Sequence, residues 1–122
     1  MMIDTGMYIL IHRKPVPCDD LLKWGKWFEK RHVRKVRTTY LGSVQISTVF
    51  LGLDHGWDGI PMLFETMIFG LPDTDGDFDY QIRCTTHRQA LQMHKNAVLF
   101  AKGYLLGLKD RPKLVCSDGV MV

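Results

Sequence analysis

The sequence predicts an α+β fold in which an antiparallel β-sheet is packed by two α-helices, in the order β-α-β-β-β-β-α with a short C-terminal strand or tail. Two observations predict this fold. Two stretches, near the start and the end of the chain, have the apolar spacing of amphipathic helices. Between them lie four stretches rich in β-branched and aromatic residues, separated by short polar or Gly-containing links, which is typical of antiparallel strands.

One strand and one helix are predicted in the N-terminal part of the chain. Residues 6–13 are largely apolar and precede two prolines, which cannot donate to a strand ladder, so the strand is predicted to end there. A helix is predicted over about residues 19–32, because two acids match the positive end of the helix dipole and Leu21, Trp24 and Phe28 follow at helical spacing. The tryptophans of this helix are interpreted as core or interface anchors.

Four further strands are predicted in the middle of the chain. Residues 33–40 and 43–51 are joined by a short link that contains Gly, which favours a hairpin. Residues 62–69 are apolar on both faces, which indicates a central strand. Residues 78–84 follow a polar turn and are predicted to form a short fourth strand.

The second helix has a start signal and a stop signal. Thr86 and Gln89 have the spacing of a capping box, so the helix is predicted to begin after Thr86. It is predicted to run to about residues 105–106, where Gly107 can terminate it. In the tail, residues 113–116 have the composition of an edge strand.

The composition predicts a single cytoplasmic domain. A chain of 122 residues with 46% apolar and 24% charged residues fits one globular domain and excludes a disordered chain; its core is predicted at residues 7–106, with a C-terminal extension at 107–122. Three cysteines at no metal-like spacing suit a reducing cytosol. No apolar run approaches the roughly 20 residues of a membrane span. No phosphate-loop, dinucleotide-binding or zinc-protease motif is present, so neither a cofactor nor a metal is predicted.

A basic run at residues 30–37 stands out in a chain whose net charge is only +3. One interpretation is a solvated helix end, where cations are favoured by the helix dipole. The other is a phosphate-facing patch for a nucleotide or a nucleic acid. In the second interpretation Arg34, Lys35 and Arg37 are candidate ligand-binding residues.

Three further candidate ligand-binding residues follow the second strand of the predicted hairpin. They are Asp54, His55 and Trp57. The ends of strands commonly present side chains to a cleft. The alternative for Asp54 is an Asx turn, in which its carboxylate caps its own loop.

His94, Glu65 and His55 are candidate acid–base residues. His94 lies on the apolar stripe of the second helix, where a lone histidine is most simply a hydrogen-bonded core residue. Glu65 shares a strand face with apolar side chains, and a carboxylate there needs a partner because burying an unpaired charge is costly. One hypothesis pairs Glu65 with His94, as a structural clasp or as an acid–base couple, with His55 as a third member. The same residue types match a hydrolytic zinc site, although metal-ligand spacing is absent.

Several segments of the chain form an ordered pattern. They are PVPCDDLLKWGKWFE at residues 15–29, STVFLGLDH at 47–55, LFETMIFG at 63–70, and an Ala-x-x-x-His helix at 90–94. This pattern is similar to that of a family of small proteins from tailed phages and prophages, over roughly residues 7–101. The resemblance implies a phage or prophage origin and a fold, and it implies no particular reaction. The chain departs from the family pattern in the loop at 56–61 and in the basic run.

Three functional hypotheses follow, and the first is favoured by the positive charge. The first is a phage-encoded accessory protein that acts by binding in phage–host conflict, either inhibiting a host defence component or sequestering a phosphate-bearing nucleotide in the host cytoplasm. The second is a small hydrolase or phosphodiesterase that uses His55, Glu65 and His94. The third is a structural or regulatory phage protein that self-assembles. A homo-oligomer is expected because an edge strand and exposed tryptophans favour self-association.

Overall fold

The computed structural model describes residues 6–54, 56, 59–72, 74 and 80–107. Its elements confirm the predicted α+β fold. In chain order they are β1 (Tyr8–Ile11), β2 (Lys14–Pro17), α1 (Leu21–Glu29), α2 (Arg31–Arg34), β3 (Lys35–Leu41), β4 (Val44–Phe50), β5 (Phe64–Phe69), β6 (Tyr80–Cys84) and α3 (His87–Leu105).

The main sheet is a four-stranded antiparallel meander with the strand order β3-β4-β5-β6. The hairpin of β3 and β4 has the predicted tight link, in which Gly42 takes a positive φ of 61°. Strand β5 lies between β4 and β6, which confirms the prediction of a central strand. Both of its faces are buried near Glu65 and Thr66, which are 8% and 0% exposed.

One face of the main sheet is covered by α3. Alternate residues of β4 point to this helix and are buried, namely Val44, Ile46, Thr48 and Phe50. Alanines at one face of α3, at positions 90, 97 and 101, are fully buried. Their small side chains allow the helix to lie close to the sheet, and this contact forms the core of the protein.

Both ends of α3 follow the predicted signals. The Thr86 side chain accepts a hydrogen bond from the backbone N–H of Gln89, and the Gln89 side chain accepts from the backbone of Thr86, which completes the capping box. Beyond Leu106 at the C-cap, Gly107 takes a φ of 74°. A left-handed residue at this place ends the helix, as predicted.

The N-terminal segment contains a strand that the sequence did not predict. Strand β2 pairs with β1 in a separate two-stranded sheet, although it contains two prolines. Proline is tolerated in a strand whose N–H groups face away from a partner, as in a two-stranded sheet with two edges. The prediction that the prolines end all strand structure here was therefore wrong.

The first predicted helix is shorter than expected. Asp20 caps α1 by accepting a hydrogen bond from the N–H of Lys23, and Lys30 is extended, which separates α1 from α2. Trp24 stacks on Phe28 with ring centroids 4.6 Å apart. Leu21, by contrast, is 65% exposed, so the predicted apolar stripe is only partly buried.

The tryptophans of α1 anchor the helix to the rest of the fold. The indole N–H of Trp24 donates to the carbonyl oxygens of Tyr8 and Gly52, at 3.1 and 3.2 Å. Trp27 meets the buried ring of Phe50 edge-on at 5.7 Å. Their interpretation as core anchors is confirmed.

Within the described residues, no helix is both long and apolar enough to cross a membrane. The predicted strand at 113–116 lies outside the described residues, and so does the polar turn predicted before the fourth strand of the sheet, apart from residue 74.

Candidate functional site

A β-bulge in β3 places two cations of the basic run, Lys35 and Arg37, on opposite faces of the main sheet. Lys35 pairs with Val49, whereas Arg37 pairs with Thr48, so the register shifts between them. Cross-strand partners share a face. Arg37 therefore lies on the face that α3 covers, and Lys35 lies on the other face. Bulges are frequent beside functional sites because they redirect side chains in this way.

Arg34 is used by the packing of α2 against α1. Its Nε donates to the carbonyl oxygen of Phe28 at 3.0 Å, and its guanidinium lies 4.0 Å from the centre of the Phe28 ring. This cation–π contact and hydrogen bond stabilise the break between the two helices. The basic run is therefore not one continuous patch. Arg34 takes part in helix packing, and Lys35 and Arg37 lie on different faces of the sheet.

A groove of about 530 Å³ lies between the β3 edge of the sheet and α3. Three cations line it, Arg37 from β3 and Arg88 and Lys95 from α3. The remaining lining residues are Gln89, Leu91 and Gln92. Helical spacing explains the set, because residues three, four and seven apart lie on one side of a helix.

The charge of the groove is uncompensated among the described residues. Within the described part of the chain, Arg37, Arg88 and Lys95 make neither an ion pair nor a side-chain hydrogen bond. The ion pair found among the described residues joins Arg83 to Glu65. Helix α3 contains three lysines or arginines and no acid over its 19 residues. Unpaired cations on facing elements give the groove a positive potential, and each guanidinium or ammonium has N–H groups that can donate charge-assisted hydrogen bonds.

Arg88 and Lys95 were not among the candidates predicted from the sequence. The available signal was the absence of Asp and Glu from the whole second helix, which is unusual for a helix with an exposed face. Only the sheet geometry shows that these two cations face Arg37, because residues on β3 and α3 are about fifty positions apart in the sequence.

His94 is a fully hydrogen-bonded core residue with 2% of its surface exposed. Its Nε2 is 2.8 Å from Oγ1 of Thr39, and its Nδ1 is 2.7 Å from Oγ1 of Thr48, which in turn bonds the hydroxyl of Thr66. In a neutral imidazole one ring nitrogen donates and the other accepts, and hydroxyls can satisfy both. The network lies between two apolar clusters, around Ile46 and around Phe50, and ties α3 to three strands.

Glu65 lies on the opposite face of the main sheet from His94. It is 8% exposed, and its Oε2 accepts hydrogen bonds from Nε of Arg83, at 2.9 Å, and from the amide of Gln81. The expectation that this carboxylate has a partner is confirmed, but the partner is Arg83. The hypothesis of a Glu65–His94 pair is wrong, because adjacent residues of a strand point to opposite faces and it is Thr66 that points to His94.

Two histidines of α3, His87 and His94, are expected to make the free energy of unfolding depend on pH. The pKa of His94 is lowered mainly by burial and to a smaller extent by the charge of Arg37. The pKa of His87 is also lowered mainly by burial, and then by the charges of Arg13 and Arg37. A histidine with a lowered pKa in the folded state binds fewer protons than in the unfolded state, so its stabilising effect is complete above about pH 6.5 and is lost as the pH falls. Urea unfolding at pH 7.5 and 5 is expected to give a lower free energy at pH 5; an increase there would contradict these environments.

Asp54 caps its own loop. Its Oδ1 accepts hydrogen bonds from the backbone N–H groups of Gly56, at 2.7 Å, and Met62, at 3.1 Å. A Cβ at Gly56 would overlap the carbonyl oxygen of Ile60, so the loop closes only around a glycine. The Asx-turn alternative for Asp54 is confirmed. His55 and Trp57 lie outside the described residues.

The described titratable residues form no arrangement typical of a nucleophile or a metal site. Burial raises the pKa of the Cys84 thiol to about 12, and a backbone hydrogen bond with Thr86 lowers it only in part, so this thiol stays protonated near neutral pH. In the described ranges no three side chains of His, Cys, Asp or Glu converge. A zinc set containing both Glu65 and His94 is incompatible with their positions on opposite faces of the sheet.

In comparisons with known proteins, the chain matches no protein-family model, no curated protein and no solved structure.

Proposed function

We propose that the protein acts by binding a phosphate-bearing nucleotide in the groove between β3 and α3. The observation that carries this proposal is that Arg37, Arg88 and Lys95 line one groove without an ionic partner among the described residues. Two guanidinium groups and an ammonium match phosphate oxygens in charge and in hydrogen-bonding geometry. A volume of about 530 Å³ suits a small molecule.

Recognition in this groove rests on phosphate more than on a base. No aromatic side chain is among its lining residues, so the stacking that usually holds a nucleobase has no platform there. Three exposed charge-assisted contacts, discounted for screening to about 1–1.5 kcal/mol each, correspond to a dissociation constant on the order of 1 mM for a simple phosphate compound.

The composition of the lining favours binding over hydrolysis, because the lining contains no group suited to acid–base catalysis. No described carboxylate, thiol or imidazole lines the groove, and the nearest histidine network is buried beneath α3. General acid–base catalysis needs a proton donor or acceptor within hydrogen-bond reach of the substrate. A protein that holds a nucleotide without consuming it fits these residues better than a phosphodiesterase.

The biological setting that we propose follows from the resemblance to phage proteins. A small phage protein that holds a phosphate-bearing nucleotide would withdraw that ligand from a host defence component, in the host cytoplasm during infection. Self-association is a further prediction. It is compatible with Tyr40 and Phe69, which are 65% and 46% exposed and both flank Gln45 on the sheet face opposite α3.

Calorimetric titration with inorganic pyrophosphate, ATP and adenosine tests the proposed function. We expect pyrophosphate and ATP to bind and adenosine not to bind, with affinity falling between about 0.1 M and about 1 M salt because the Debye length shrinks from about 10 to about 3 Å. Phosphorus NMR of the same samples is expected to show ATP unchanged.

Two results of this titration would contradict the proposal: adenosine binding as tightly as ATP, or no phosphate compound binding at low salt. A short single-stranded oligonucleotide that binds far more tightly than ATP would overturn the nucleotide as the ligand and assign the groove to nucleic acid.

A further inference from the structure

The buried imidazole of His94 is connected to the basic groove through two threonine hydroxyls. Arg37 lines the groove and is the cross-strand partner of Thr48, and such partners have Cβ atoms about 5 Å apart. The hydroxyl of Thr48 is 2.7 Å from Nδ1 of His94. Thr39 follows Arg37 on the same strand face and lies 2.8 Å from Nε2 of the ring. On α3, the next residue after His94 is Lys95, which also lines the groove.

The hydrogen-bonding partners of His94 suit both protonation states of its ring. Both partners are hydroxyls, and a hydroxyl can donate a hydrogen bond or accept one. The imidazolium form can donate from Nε2 to Thr39 and from Nδ1 to Thr48, which can in turn donate to Thr66. The ring can therefore gain a proton without moving and without losing a hydrogen bond.

The surroundings of the ring oppose this proton when the groove is empty. Burial lowers the pKa of His94 most, and the charge of Arg37 lowers it further. Among the described residues, no carboxylate lies on α3 or on the sheet face that it covers, because Glu65 points to the opposite face and pairs with Arg83. Besides Arg37, the ionisable side chains described on this helix and this face are cations, phenols, a thiol and a histidine, namely Arg88, Lys95, Lys102, Tyr80, Tyr104, Cys84 and His87.

An anion in the groove would offset the charge of Arg37 and so remove part of this opposition. We propose that the groove is a proton-linked anion site, in which binding of a phosphate group is accompanied by uptake of a proton by His94 and becomes tighter below neutral pH. The two events are reciprocal, because each one changes the equilibrium constant of the other by the same factor. This inference rests on the proposed function, since it needs an anion beside Arg37.

Titration of the histidine ring resonances by NMR, with and without inorganic sulfate, tests this linkage in the unaltered protein. Sulfate is the probe because it stays doubly charged over the range in which histidine titrates, whereas a phosphate group gains a proton near about pH 6. The ionic strength is kept low and constant with chloride. We expect sulfate to raise the pKa of His94, and we expect the affinity for sulfate to be about fivefold higher at about pH 5.5 than at about pH 7.5.

His94→Gln and His87→Gln form a matched pair of variants. Glutamine can donate to one threonine and accept from the other, so His94→Gln removes the titrating group and keeps the hydrogen-bonding positions. It is expected to bind sulfate at about pH 7.5 as the unaltered protein does, and to gain less than about twofold at about pH 5.5. His87→Gln removes the other histidine of α3 whose pKa the charge of Arg37 lowers, and it is expected to keep a gain of about threefold or more.

Two results would overturn the inference while sulfate still binds, and both leave the proposed function intact. One is a pKa of His94 that sulfate does not change, which is measured without any variant and so does not depend on how His94→Gln folds. The other is a full fivefold gain in folded His94→Gln together with its loss in His87→Gln. Failure of the unaltered protein to bind either sulfate or pyrophosphate at low salt would overturn the proposed function itself, and this inference with it.

Discussion

Replacing His94 with Ala is expected to lower the free energy of unfolding by about 3–5 kcal/mol. The substitution leaves a cavity where a ring was packed, and it removes the hydrogen-bonding partner of Thr39 and Thr48 inside the core. Thr48 keeps its hydrogen bond to Thr66, whereas Thr39 loses its bond to the imidazole, so the cost of the lost hydrogen bonds adds to the cost of the cavity. Urea unfolding at pH 7.5 measures the loss.

His87 provides the matched control for this substitution. It is on the same helix and its pKa is also lowered, but it is only partly buried and makes an edge-on contact with Phe64. His87→Ala is expected to cost about 1 kcal/mol. If His94→Ala costs no more than His87→Ala, the hydrogen-bonded network is not the structural centre of the core.

The folded His94→Ala protein is expected to bind pyrophosphate within about threefold of the unaltered protein, because the three cations of the groove remain and α3 is still packed through its alanines. A loss of binding with unchanged stability would instead indicate a direct functional role for His94, as the acid–base hypothesis required.

The combined variant Arg37→Gln, Arg88→Gln and Lys95→Gln is expected to bind pyrophosphate at least about 100-fold more weakly. Each cation is exposed, so its contribution is discounted for screening to about 1 kcal/mol or slightly more, and three such losses amount to two factors of ten or more. Glutamine keeps most of each side chain and can still donate hydrogen bonds, so the change isolates charge. Calorimetric titration at low salt measures the effect.

Lys102→Gln controls for the general loss of positive charge. Lys102 is an exposed cation on α3 that does not line the groove. Its replacement is expected to change the affinity by less than about twofold when the comparison is made at about 0.15 M salt, because the Debye length there is about 8 Å and Lys102 lies seven residues, roughly 10 Å, along α3 from Lys95. Equal effects of Lys102→Gln and Lys95→Gln would show that the protein attracts anions by net charge alone and has no specific groove.

Those parts of the fold that depend on short sequence signals were predictable. The capping box at Thr86 and Gln89, the glycine after α3 and the hairpin at Gly42 are local, and each satisfies backbone groups or backbone geometry within a few residues. The central position of β5 also followed from its own composition, because a strand buried on both faces needs apolar side chains on both.

The misassigned elements depended on tertiary contacts. Lys30 breaks the first helix where the cation–π contact of Arg34 with Phe28 stabilises a different path of the chain. Strand β2 forms in spite of two prolines because, among the described strands, it pairs with β1 alone. Neither contact is visible in the local sequence, and each outweighs a propensity difference of about 1 kcal/mol.

The candidate site was the least predictable part. Glu65 and His94 both lie among apolar residues, but the sequence does not specify which face of β5 the helix covers. A shift of the strand register by one residue would turn Glu65 instead of Thr66 toward the helix. The bulge in β3 likewise separates Lys35 from Arg37, which are only two residues apart. Arg37 is the predicted cation that belongs to the groove, and its partners come from α3.

Backbone amide NMR during a titration with pyrophosphate tests most directly whether the groove between β3 and α3 binds phosphate. We expect the largest shifts at Arg37 and in the first half of α3, from Arg88 to Lys95, and small shifts at Lys35 and at Arg83 on the opposite sheet face. Shifts concentrated at Lys35 and Arg83, or shifts spread evenly over all exposed cations, would contradict the account.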